Sequence, residues 1–200
     1  MGRSKGVSGV RHLSTAELDA GLDEIRRSPK DEGVLAMIVR RPRIEEREVL
    51  QDAQLDPAEG VVGDTWSRRS SSTPDKSPHP EKQLNIMNAR VIALVAQSTD
   101  RWPLAGDQLY IDIDLSDENL PTGTRLALGE AVIEITAPPH NGCGKFVARF
   151  GLDAMTWVNS PLGKELHLRG VNARVVKAGT IRVGDRARKT GNAEAESRKP

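Results

Sequence analysis

The residues best suited to chemistry lie in the ten-residue segment 137–146, APPHNGCGKF, which holds the single cysteine of the chain. His140 stands three residues before Cys143, and Lys145 stands two residues after it. A thiol reacts as its thiolate, which a nearby cation, a helix N-terminus or a metal stabilises. Residues 145–158 carry apolar side chains at helical spacing, so Cys143 is predicted to precede a helix. The pattern favours Cys143 as nucleophile or metal ligand, with His140 as its base, acid or second ligand.

The same segment also allows a structural interpretation. A lone cysteine is commonly a small buried hydrophobe. In that case the chain would be a non-catalytic interaction module that contacts a partner through residues 67–82 or the basic run 182–189. The prolines, asparagine and glycines around Cys143 indicate a loop instead, and loops carry function more often than core strands do. A closed zinc site needs four ligands, and the chain has no second cysteine to supply one.

The composition narrows the class of protein. The chain has 29 basic and 28 acidic residues and a net charge of +1, so its overall charge does not indicate a nucleic-acid or membrane partner. No apolar run approaches the ~18 residues of a membrane span, and the N-terminus lacks the apolar stretch of a signal peptide. A single cysteine excludes an intramolecular disulfide framework. We therefore expect a cytoplasmic protein with one main domain.

The first part of the chain, residues 1–32, is predicted to be a helical extension. A capping-box pattern, STAE at residues 14–17, opens an amphipathic helix. The apolar run 34–39 and the charged run 45–50 then predict two strands of a hairpin. Residues 67–82 are rich in serine, proline and charge, so they predict a loop.

The rest of the chain reads as short strands separated by glycine turns. Apolar and polar residues alternate from 109 to 115, which predicts a half-buried strand. Further strands are predicted at 125–128, 131–136, 171–177 and 179–184. These patterns predict an α+β, β-rich fold with a mainly antiparallel β-barrel-like core and a few peripheral helices. The core domain is expected to span residues 33–189, and the charged residues 190–200 are expected to be a disordered tail.

Six segments follow one another along this core. They are GVVGD at 60–64, IDIDLSDENLP at 111–121, LALG at 126–129, VIEIT at 132–136, HNGCGK at 140–145 and ARVVKAGTIRVGD at 173–185. In this order they resemble the MOSC domain, which is found at the C-terminus of molybdenum-cofactor sulfurases and which we expect here as a stand-alone domain. The resemblance covers about residues 33–188.

The resemblance implies a β-barrel-like fold and a working cysteine. Cys143 would either carry sulfur as a persulfide or ligate molybdenum in a bound pterin cofactor. Relatives include amidoxime reductases and bacterial proteins that detoxify N-hydroxylated bases, so the implied roles are sulfur transfer or reduction of N-hydroxylated compounds. The implied partners are a cysteine desulfurase or a redox partner, together with a small-molecule substrate. Pyridoxal phosphate belongs to the fused desulfurase domain of the sulfurases and is not expected in this chain.

A pterin phosphate would need cationic partners near Cys143. The candidates are Lys145, Arg149, Arg90 and Arg169, and the alternative for each arginine is a surface salt bridge. Asn119 is either a pterin contact or a turn-forming residue.

Overall fold

The computed structural model describes residues 11–68 and 76–192, which form eleven strands and six α-helices. The strands are β1 (Glu32–Arg40), β2 (Glu48–Leu50), β3 (Asp52–Asp56), β4 (Gly60–Val61), β5 (Leu84–Asn88), β6 (Leu109–Asp112), β7 (Thr124–Leu128), β8 (Ala131–Pro139), β9 (Val171–Lys177), β10 (Gly179–Arg182) and β11 (Arg186–Asn192). The helices are α1 (Thr15–Ala20), α2 (Leu22–Arg26), α3 (Ala89–Ala96), α4 (Gly144–Phe150), α5 (Leu152–Val158) and α6 (Pro161–Glu165).

Seven of the strands close into a β-barrel. Their order is β1, β6, β5, β9, β8, β7 and β11, and β11 pairs back to β1. Within the described residues, β5 and β6 form the one parallel pair, so the barrel is mixed but mainly antiparallel. β2 extends β1 as a hairpin, and β3, β4 and β10 form a separate small sheet. The predicted β-rich α+β class with a barrel core is confirmed.

Alternating side chains divide the barrel strands between two cores. Leu109 and Ile111 of β6 point into the barrel interior, whereas Tyr110 between them packs outward beneath the helices. β1 follows the same rule with one interruption, because its register with β6 shifts between Leu35 and Met37. The helices cover the outer face of β1, β5 and β6, and this side of the barrel carries α4, the helix that follows the cysteine loop.

The N-terminal helix differs from its prediction in one respect. The capping box is present, since the side chain of Ser14 accepts from the Glu17 backbone and the Glu17 carboxylate accepts from the Ser14 backbone. The helix is interrupted at Gly21, so α1 and α2 replace the single predicted helix. Residues 1–10 of the predicted extension lie outside the described residues.

Two other sequence predictions need correction. Residues 145–158 form two helices rather than one, because Gly151 between them adopts φ +91°, which breaks the helical path. The barrel strand β11 continues to Asn192 and includes three residues that the sequence assigns to the tail. Strand pairing with β1 and β7 sets its structure, since its sequence RARKTGN carries no apolar alternation. Residues 193–200 lie outside the described part of the chain.

Among the described residues, no helix is both long enough and apolar enough to cross a membrane. Of the predicted loop at 67–82, the structure describes residues 67–68 and 76–82, which include two short 3-10 turns.

Candidate functional site

Cys143 lies at the mouth of a basic pocket. β8 ends at Pro139, and the following loop places Cys143 directly before α4, where it is the N-cap residue with extended backbone. The thiol is exposed, and it borders a pocket of about 380 Å³. Five cationic side chains line the same pocket: Arg41, Arg47, Lys145, Arg149 and Arg169. We refer to this site as the Cys143 pocket.

Two of these cations form ion pairs with buried carboxylates that do not line the pocket. Arg41 donates through Nε and Nη2 to the two oxygens of Asp64, both at 2.9 Å, and both side chains are at most 5% exposed. Burial raises the pKa of Asp64, but the hydrogen bonds and charge of Arg41 outweigh burial and bring that pKa below its usual value. Asp64 also accepts from the backbone N–H of Trp66, so it both caps a turn and orients Arg41.

Arg169 is held in the same manner by Asp107. Its Nη1 lies 2.8 Å from Oδ2 of Asp107, whose side chain is fully buried, and its Nη2 donates to the carbonyl of Ala105. The guanidinium also lies over the ring of Phe146, 5.0 Å from the centroid. Its Nε is buried and has no hydrogen-bond partner among the described residues. Arg169 is therefore fixed in place while one donor stays available.

The remaining three cations face a single carboxylate. Nζ of Lys145 lies 2.6 Å from Oε1 of Glu45, and Nη2 of Arg149 lies 2.8 Å from Oε2. Burial, followed by the charges of Arg149 and Arg41, lowers the pKa of Arg47, and its buried Nε has no partner within the described chain. Positive charge exceeds negative charge in the lining, so the pocket suits an anion.

His140 separates the Cys143 pocket from a second cavity. That cavity has a volume of about 370 Å³ and lies against α6 and the end of β8, and His140 and Arg169 line both spaces. Burial lowers the pKa of His140 well below 6.5, and the charges of Arg169, Arg41 and Lys82 add to the effect. Nδ1 lies 3.4 Å from Oδ1 of Asp107 but makes no hydrogen bond. The imidazole is therefore neutral at neutral pH and can accept a proton.

The structure brings together five of the seven residues predicted from sequence. Cys143, His140, Lys145, Arg149 and Arg169 all line the Cys143 pocket.

Arg90 and Asn119 do not line this pocket. Arg90 forms ion pairs with Asp112 and Glu24, which join α2, α3 and β6. Asn119 donates to the carbonyls of Lys30 and Asp114, as a turn-forming residue does. In this structure both side chains serve the fold.

Sequence reasoning missed the contribution of the β1–β2 turn. Arg41, Glu45 and Arg47 all come from this turn, about a hundred residues before Cys143. The available signal was its density of charge, RRPRIEER at residues 40–47. The sequence pattern places residues 45–47 in the second strand of the hairpin, whereas the structure begins that strand at Glu48. Asp107 had no such signal, because its role depends on burial beside Arg169.

Solved structures share the fold. The YuaD protein from Bacillus subtilis aligns with a TM-score of 0.54 and 15% identity over 78% of this chain and 94% of its own. YiiM from Escherichia coli gives a TM-score of 0.52 and 16% identity over 80% of this chain and 71% of its own. YiiM from Geobacillus stearothermophilus gives a TM-score of 0.52 and 11% identity over 80% and 75%. At these identities the likeness concerns the fold.

A search of curated proteins found no match. The family model of the MOSC domain matches residues 73–188, which is more than half of the chain. The matched region includes the cysteine loop, α4, the barrel strands β5 to β9 and the first residues of β11. The chain belongs to the MOSC domain family.

Proposed function

We propose that this MOSC domain binds the molybdenum cofactor in the Cys143 pocket and that the Cys143 sulfur is a ligand of the molybdenum. One observation carries the proposal: an exposed thiol borders a pocket lined by five cationic side chains. A pterin cofactor with a phosphate group is an anion, and a thiolate is a soft metal ligand.

The residues present fit such a group. A volume of about 380 Å³ lies in the range of small-molecule pockets. Among the described residues, no three His, Cys, Asp or Glu side chains cluster as a metal site, so a metal bound here must bring most of its ligands with it. Molybdenum in a pterin cofactor does so. The unpartnered Nε atoms of Arg47 and Arg169 are buried donors that an anionic ligand can satisfy.

The residues of the chain have separate roles in this proposal. Lys145, Arg149 and Arg47 hold the anionic part of the cofactor, and Cys143 holds its metal. His140 is neutral and lines the pocket, so its imidazole could take or return a proton there. When bound, the cofactor supplies two-electron redox chemistry, which we propose serves the reduction of N-hydroxylated small molecules with electrons from a redox partner.

Sulfur transfer is the second candidate, and the exposure of Cys143 favours it. The Cys143 thiolate would attack the terminal sulfur of a persulfide on a cysteine desulfurase. A new Sγ–S bond forms while the donor S–S bond breaks, and the donor leaves as a thiolate. The surrounding cations would stabilise the resulting persulfide anion. An interaction module with a buried structural cysteine is disfavoured, because this thiol is not buried.

Metal and pterin analysis tests the proposal. Protein purified from a host that makes molybdenum cofactor is compared with Cys143→Ala and Lys145→Gln, and Lys177→Gln is the matched control because Lys177 is an exposed residue that does not line the pocket. We expect molybdenum near one per chain in the wild type and the control, loss of molybdenum in Cys143→Ala, and less pterin in Lys145→Gln. A persulfide on Cys143 by intact mass without molybdenum would select sulfur transfer. Absence of both would refute the proposed function.

A further inference from the structure

Glu45 occupies the cations that an anionic ligand of the Cys143 pocket would use. Its two carboxylate oxygens are divided between Lys145, at 2.6 Å, and Arg149, at 2.8 Å. Two oxygens that each accept from a different cation reproduce the way a phosphate group is commonly held. Glu45 is the one carboxylate among the described residues that line the pocket. Its side chain therefore stands where a negatively charged ligand group would bind.

The backbone around Glu45 is suited to exchange. Glu45 has φ +62°, an uncommon conformation for a residue other than glycine. The adjacent Ile44 is 84% exposed, so no apolar packing of that side chain holds this part of the turn. By contrast, Arg41 at the start of the turn is anchored through buried Asp64. Loss of the two ion pairs would free the tip of the turn while its base stays in place.

We propose that Glu45 is a tethered internal competitor, which closes the anion-binding part of the Cys143 pocket and is displaced when the anionic ligand binds. This inference rests on the proposed function, because it assumes that the ligand is an anion. Its consequence is selection by charge. A weakly charged solute gains little by replacing a carboxylate that is already paired, whereas a multiply charged phosphate gains contacts to Arg47 as well.

Removal of the competing charge should strengthen anion binding. The Glu45 carboxylate is more than half exposed in both ion pairs, and exposed charges interact weakly, although Arg149 itself is mostly buried. We therefore expect Glu45→Gln to lower the dissociation constant by about fivefold. The probe is inorganic pyrophosphate, titrated into the wild type and Glu45→Gln by isothermal calorimetry in about 50 mM salt. Glu46→Gln is the matched control, since Glu46 pairs with Arg43 and does not line the pocket. Circular dichroism confirms that all three proteins are folded.

The outcomes separate this inference from the proposed function. Tighter binding in Glu45→Gln alone, with a difference that shrinks in about 0.5 M salt, supports displacement of a charged competitor. Equal or weaker binding in Glu45→Gln than in the wild type overturns the role of Glu45 and leaves the anion pocket in place. No binding of pyrophosphate to any of the three proteins overturns the anion pocket and the proposed function together.

Discussion

His140 should make the stability of the cofactor-free protein depend on pH. Its imidazole is buried, and the charges of Arg169, Arg41 and Lys82 also oppose a further positive charge. The pKa of His140 in the folded state is therefore well below 6.5, whereas in the unfolded chain it returns to about 6.5. Below that pH the unfolded state binds a proton that the folded state does not. Stability from this residue is thus fully present above pH 6.5 and is lost as the pH falls.

The magnitude follows from proton linkage. Each unit of pH over which the unfolded chain alone is protonated costs about 1.4 kcal/mol. Between pH 7.5 and pH 5.0 the loss from His140 is therefore at most about 2 kcal/mol, most of it below pH 6.5. This is a large share of the stability of a typical domain.

Urea unfolding at pH 7.5, 6.5 and 5.0 measures the effect. The wild type is compared with His140→Gln, which has no titrating group at this position. His79→Gln is the control variant; the ring of His79, unlike that of His140, accepts a backbone hydrogen bond. We expect the free energy of unfolding to fall more in the wild type than in His140→Gln, by up to about 2 kcal/mol, whatever the offset between them at pH 7.5. Parallel pH profiles for these two proteins would show that His140 accepts a proton freely in the fold, and they would remove its role as a neutral base.

Two further predictions test the pocket itself. Asp64→Asn leaves Arg41 charged and without its carboxylate in the interior, so it should lower the free energy of unfolding in urea by about 3 kcal/mol or more. The control Glu48→Gln breaks the partly exposed pair with Arg40 and should lower it by less than about 1 kcal/mol. Similar losses in the two variants would contradict the argument that burial makes the Arg41–Asp64 pair costly to break. The second prediction concerns the ratio of the alkylation rates of Cys143 with anionic iodoacetate and neutral iodoacetamide. This ratio should be several-fold higher for Cys143 than for N-acetylcysteine, because the pocket cations attract the anionic reagent. About 0.5 M salt should abolish that preference, and a ratio that does not respond to salt would show that these cations do not act at the sulfur.

The barrel could be predicted from sequence where its strands carry their own pattern. Residues 109–115 alternate, and Leu109, Ile111, Ile113 and Leu115 are all buried in the barrel core, although the strand itself ends at Asp112. β11 could not be predicted, because Ala187 is the one apolar residue in RARKTGN. Its position comes from hydrogen bonds to β1 and β7, and such contacts between distant segments leave no local signal.

The site was predictable to the extent that it is local. One loop and the helix after it contain four of the predicted residues within a ten-residue segment: His140, Cys143, Lys145 and Arg149. A local sequence pattern was therefore enough to predict them. Arg90 was chosen because an arginine can bind a phosphate. An arginine that joins two helices has the same residue type, so the sequence does not distinguish it from one that binds an anion. Burial and partners, which the sequence does not show, separate the two cases.

The distribution of charge in the Cys143 pocket explains why the fold needs distant residues at this site. Asp64 and Asp107 neutralise Arg41 and Arg169 from inside the protein, where removal of either partner is costly. These two arginines therefore line the pocket in fixed positions, with their charges already balanced. Lys145, Arg149 and Arg47 remain as charges that a ligand can use, and Glu45 offsets one of them from an exposed turn. In the proposed displacement of Glu45, the pocket would present three positive charges beside an exposed thiol. The proposed ligand, a phosphate-bearing anion that also brings a thiolate-binding metal, would use both features.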